Sequence, residues 1–127
     1  MAKEAVLESV TMLLGDDGIL RIRINEGARI NIAQAKLQYE TIRRMCGDVR
    51  VAVLVDATGD HEVDKDAQQW AADHTSNRIA TAVVSSKPFA AITLNLFISL
   101  FKPKSTFKLF RDEEKALAWL RGMMINQ

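Results

Sequence analysis

Val51-Ala52-Val53-Leu54-Val55 runs directly into Asp56-Ala57-Thr58-Gly59-Asp60. A continuous apolar run rich in β-branched residues, stopped by a polar loop, reads as a strand covered on both faces. Ile79-Ala80-Thr81-Ala82-Val83-Val84 is a second run of the same kind. Between them Asp64 can cap a helix reaching about Asp73, with Ala67, Trp70, Ala71 and His74 on its inward side. Two fully covered strands joined through a helix make a parallel crossover, so the chain belongs to the α/β class.

Upstream, residues 5–14 read as one strand that ends at the turn Gly15-Asp16-Asp17-Gly18. Ile19-Leu20-Arg21-Ile22-Arg23-Ile24 alternates apolar and cationic residues as a half-exposed strand should, giving a hairpin. After the break Asn25-Glu26-Gly27-Ala28, Asn31 and Gln34 suggest a variant capping box with Ile30 as its staple. Ala35, Tyr39, Ile42 and Cys46 form that helix's buried stripe, and Gly47 stops it. Downstream, Pro88 suits the first turn of a helix over 89–101, and Pro103 helps to end it. Thr106–Phe110 reads as a strand. A last helix, capped near Asp112, carries Glu113 and Glu114 in its first turn and Ala116, Leu117, Leu120 and Met124 inward. The expected order is ββαβαβαβα. It implies a mixed, mainly parallel sheet of about five strands with four helices in one domain over 1–127.

The chain of 127 residues is long enough for one core, and its 48% hydrophobic content excludes intrinsic disorder. Lys and Arg number 17 against 16 Asp and Glu, a net charge of +1 that exerts no global pull toward nucleic acid. The single cysteine, Cys46, forms no internal disulfide and fits a reducing compartment. Acidic residues interrupt the first stretch, so it does not resemble a signal peptide. At about 1.5 Å per residue the 89–101 helix spans roughly 20 Å, short of the ~30 Å hydrocarbon core. A soluble, cytoplasmic domain without a transmembrane segment is expected.

That helix carries two apolar stripes. Leu94, Phe97, Ile98 and Phe101 follow helical spacing, and Phe89, Ile92, Leu96 and Leu100 make a second series. A surface helix needs one such face, so the other calls for a second copy of the chain, a partner protein or an apolar ligand. A homodimer is the commonest solution. The pattern leaves open which face points outward. Lys87, Lys102, Lys104, Lys108 and Arg111 gather near the ends of this helix and on the strand after it. They read as snorkelling stems, or as a polar rim or anion contact beside the apolar surface.

Chemical motifs are sparse. Asp56 ends a strand, where α/β sheets place ligands and phosphotransfer enzymes place a nucleophilic aspartate. Ala57 and Thr58 leave no carboxylate two positions on, so Asp56 and Thr58 are expected to satisfy loop backbone groups. His61 and His74 lack the spacing of a zinc site and read as surface imidazoles. Cys46 sits on an apolar stripe and reads as a small hydrophobe. Phe101, Phe107 and Phe110 interleave with cations but fit core positions, so no stacking platform for nucleic acid is expected. No catalytic residue, metal ligand or cofactor is assigned.

Lys87-Pro88-Phe89, Asn95-Leu96-Phe97, Lys102-Pro103, Lys108-Leu109-Phe110 and Glu113-Glu114-Lys115-Ala116-Leu117-Ala118-Trp119-Leu120 follow the covered strands 51–55 and 79–84. In this pattern, from Asp17 to Met123, the chain resembles the small bacterial STAS/CRAL-TRIO-like proteins, similar in fold to the anti-sigma-factor antagonists. The resemblance implies a non-enzymatic switch working through protein contacts. In STAS domains a serine at the start of a sheet-packed helix takes a phosphate. The corresponding residues here are Asp64, Lys65 and Asp66, with no hydroxyl among them. The resemblance therefore implies binding without that phospho-switch. Its CRAL-TRIO side implies, as the alternative, a carrier of a small lipophilic ligand.

Overall fold

The computed structural model describes residues 3–126. Strands β1 (Lys3–Val6), β2 (Val10–Leu14) and β3 (Ile19–Ile24) precede β4 (Ala28–Ile30) and helix α1 (Ile32–Cys46). Then come β5 (Val51–Asp56), β6 (His61–Val63), α2 (Lys65–Asp73), β7 (Arg78–Val84), α3 (Ala90–Phe101), β8 (Phe107–Phe110) and α4 (Glu113–Ile125). Six strands form a mixed sheet in the order β1-β2-β3-β5-β7-β8. β1, β2 and β3 pair antiparallel, and from β3 to β8 every pairing is parallel. The α/β class and the mainly parallel sheet with four helices are as the sequence implies.

β5 is the centre of the molecule because its alternate side chains enter two different cores. Val51 and Val53 pack with Val10, Met12, Leu20 and Ile22 beneath Ile42 and Met45 of α1. Ala52 and Leu54 point the other way, toward Ala80, Ala82 and the α4 residues Ala116 and Leu120. Four alanines on that second face let α4 sit close to the strands. A close-packed interior of this kind resists any change in side-chain volume.

Three expectations need correction. Residues 5–14 are two strands, because the chain turns at Leu7-Glu8-Ser9 and β1 folds back on β2. No Gly or Pro marks the turn. It is fixed by the buried Ser9, whose hydroxyl donates to Gln34 Oε1 at 2.9 Å, and by Asn25, whose Nδ2 donates to the Glu8 carbonyl at 3.0 Å. Asn31 caps α1, accepting from the Gln34 N–H at 2.9 Å, but the Gln34 side chain is drawn to Ser9 and Glu8 and does not close a capping box. Finally, β4 and β6, absent from the expected order, pair in parallel outside the main sheet. At three residues each they are too short to show a periodic pattern. They bring the starts of α1 and α2 together. Gly47 ends α1 with φ of 68°, and its N–H bonds the Arg43 carbonyl.

Candidate functional site

Helix α3 resolves the choice between its two stripes. Phe89, Ile92, Leu96 and Leu100 face solvent, 71%, 59%, 54% and 66% exposed. Leu94, Phe97, Ile98 and Phe101 turn toward the body and are half-buried. Phe97 is held edge-on to Phe107 of β8 at 5.3 Å and stands 5.8 Å from Phe101. No residue of α3 is fully buried. The helix ends where Lys102 takes a left-handed conformation, φ 49°, with its N–H on the Ile98 carbonyl.

The cations near α3 separate into groups. Lys87, before its first turn, donates to the Gly59 carbonyl at 2.9 Å and pairs with Asp60 at 3.2 Å. Lys102 and Lys104 lie just past its C-terminus. Lys108 does not join them. It lies on the opposite face of β8, its Nζ over the rings of Phe110 and Trp119. Arg111 donates to the Ser85 and Lys87 carbonyls and so braces the strand-to-helix connection.

Asp64, Lys65 and Asp66 open α2. Asp64 occupies the N-cap position, but its carboxylate accepts from Arg29 Nη2 at 3.1 Å and makes no cap bond. Lys65 is exposed, and Asp66 accepts from the Ala67 N–H at 2.8 Å. Asp56 accepts from the Thr58 N–H at 3.1 Å and the Thr58 hydroxyl at 2.7 Å, closing a local Asx turn. Burial pushes the half-buried Cys46 thiol up, away from the reactive thiolate.

Between the sheet and helices α1, α2 and α3 lies an apolar cavity of about 200 Å³. Its wall includes an aromatic cluster. Trp70 stacks on His74 with centroids 3.9 Å apart, and Tyr39 meets both rings edge-on. His74, on the inward side of its helix and not a free surface imidazole, is half-buried there, with Nδ1 2.6 Å from the Trp70 carbonyl. A second, more open groove of about 580 Å³ runs from Asp60 and Lys87 past Phe89 and Leu94, and Phe97 borders both spaces.

Arg78 lines the cavity, and its position depends on a bulge. β5 pairs Val51 with Arg78 and Ala52 with Ala80, so Ile79 has no opposite residue. Regular alternation would put Arg78 beside Ala80 and Ala82, facing α4. The irregularity re-aims it to the face of Thr81, whose hydroxyl accepts from Arg78 Nη1 at 3.3 Å. Arg78 Nε is buried and has no hydrogen-bond partner, and neither has Asn77 Oδ1. Desolvation lowers the Arg78 pKa to about 10. Arg78 gives no sign of this role in the sequence, because it stands at a strand end, where a cation normally reaches solvent. Thr81, polar inside an apolar run, was the one available signal.

The sheet, antiparallel at one edge and parallel beyond it, with helices on both faces, has a SpoIIAA-like fold. A solved structure, an uncharacterized protein of the DUF3478 family with a SpoIIAA-like fold from Shewanella loihica PV-4, superposes with a TM-score of 0.59 at 12% identity. The match covers 94% of this chain and 92% of that one, and it shows the fold. The chain itself belongs to the family described as "Domain of unknown function (DUF7793)", which matches residues 12–124. It is also similar to a protein of unknown function from Arthrobacter sp. FB24, 31% identical over 87% of this chain and 97% of that one, with a TM-score of 0.33. No curated protein matches. Among the described residues no helix is long and apolar enough to cross a membrane.

Proposed function

We propose that the protein is a non-catalytic binding module that works through the outer face of α3, and that a second copy of the chain occupies this face. One observation carries the reading: Phe89, Ile92, Leu96 and Leu100 form a continuous apolar stripe that the protomer leaves in water. The sequence of α3, Ala90–Phe101, contains no charged residue, so the helix offers nothing for a charged partner to read. A net charge of +1 opposes self-association only weakly.

Magnitudes set the expected strength. Each half-exposed Phe, Ile or Leu has roughly 1 kcal/mol of burial still to gain. A two-fold contact uses the stripe twice, so the gross gain is on the order of 8 kcal/mol, against an association cost of about 4–15 kcal/mol. The stripe alone therefore supports a weak, reversible dimer. A polar rim has to supply the remainder. In an antiparallel arrangement Lys102 of one copy would lie near the exposed Asp60 of the other.

Leu96→Asp and Ile92→Asp are expected to leave the fold intact, since both side chains lie in solvent, and to convert a concentration-dependent dimer to monomer. Light scattering across a concentration series reads this directly. A molar mass unchanged in both variants would remove the proposed surface.

A further inference from the structure

We infer that the cavity behind α3 binds a small apolar monocarboxylate, with Arg78 as the anchor for its charge. An apolar cavity of about 200 Å³ needs no cation in its wall, yet a bulge in β7 turns one inward. Among the described residues no ion pair includes Arg78. Its Nη1 is committed to Thr81, and Nε, on the adjacent edge of the guanidinium fork, is buried without a partner. Arg78 lines the cavity half-buried, and a carboxylate meets a guanidinium with two parallel hydrogen bonds. Asn77, whose Oδ1 is also buried and unpaired, adds a donor when its amide is turned over.

Water in the cavity could satisfy the stranded N–H, but it would leave the charge uncompensated. Arg78 is half-buried, and a counter-ion in the cavity would pair its charge. The charge count selects the headgroup. His74 directs Nδ1 to the Trp70 carbonyl, and Tyr39 is the other titratable group in the wall, so one permanent cation faces the space. A single negative charge balances it, whereas a phosphate dianion would be left half-paired. Volume selects the tail. A cavity of about 150 Å³ accommodates benzene, so this one suits a ligand of about eight to ten heavy atoms. The rings of Tyr39, Trp70, Phe97 and Phe107 would pack a short alkyl chain or one aromatic ring.

The inference is independent of dimerisation through α3, and Ile92→Asp should bind the ligand unchanged. The test is calorimetric titration of the full chain with octanoate, octanol and octylamine, which share a tail and differ in headgroup charge. Octanoate is expected to bind one per chain, at least tenfold tighter than octanol, with octylamine excluded. Arg78→Met should keep the fold, because it replaces an unpaired charge with apolar volume, and should bring octanoate down to the affinity of octanol. Failure of octanoate to bind the wild-type chain, or equal affinity for octanoate and octanol there, would overturn the inference. So would an octanoate preference that survives in Arg78→Met.

Discussion

Asp17 and Arg21 show how a surface pair can be held by the turn beneath it. Asp17 closes the β2–β3 turn by accepting from the Ile19 N–H at 3.1 Å, and it also grips Arg21 through both oxygens at 3.0 and 2.9 Å. Gly15 leaves the necessary room, since a Cβ there would fall 2.6 Å from Arg21 Nη1. The Arg21 hydrogen bond is the main cause that lowers the Asp17 pKa from 3.8 to about 2. A depressed carboxylate pKa contributes stability in full above its ordinary value, and the contribution disappears as pH falls through the folded value. Solvent screening at this partly exposed site reduces the contribution to about 1 kcal/mol. Asp17→Asn should therefore lose about that much in urea denaturation at pH 7, and its gap to the wild type should close between about pH 4 and pH 2. A gap independent of pH would assign the loss to the turn alone. The Asp17 turn was legible in the sequence, because Gly and Asp cluster there. Arg78 was not: its inward aim depends on one unopposed residue, and strand alternation assigns it to the wrong face.

At the scale of elements, continuous apolar runs gave away β5 and β7, and capping residues gave away α1 and α4. β4 and β6 carried no periodic signal, and the β1–β2 turn is made by tertiary hydrogen bonds to Ser9 and Asn25 that no local pattern records. Helix α3 was legible as an element with two apolar faces. Which face lies outward depends on packing: Phe97 docks on Phe107, and the Phe89 stripe has nothing opposite it. The end of α3 is a place where sequence and conformation disagree. Lys102 is the only non-glycine residue with positive φ among those described, in a conformation that costs an L-residue about 1 kcal/mol or more. Lys102→Gly should relieve that cost, less the extra freedom glycine has when unfolded. A gain of about 0.5–1 kcal/mol is expected, seen as a higher midpoint in chemical denaturation. A loss would mean that the Lys102 side chain makes a contribution larger than the strain.

The two sides of the sheet are built to different tightness, and the whole molecule should respond accordingly. On one side α4 buries Ala116 and Leu120 completely against Ala52, Ala80 and Ala82, a contact with no slack. On the other side α1 is anchored by Ile42 and Met45, but α3 stands over a cavity with every side chain at least partly exposed. Local opening free energy follows burial, so elements with few buried contacts open without global unfolding. Hydrogen exchange of the native protein should show β5, β7 and α4 exchanging only through global unfolding, with the amides of α3 exchanging much faster. Dimerisation through the Phe89–Leu100 stripe would raise α3 protection as protein concentration rises, because binding stabilises the bound form by mass action. Occupation of the Arg78 cavity would raise it at fixed protein concentration when octanoate is added. The two causes are therefore separable in one experiment. Protection of α3 equal to that of α4 at high dilution without ligand would show that the helix is held by its own protomer alone, and neither the stripe nor the cavity would then be needed to explain its order.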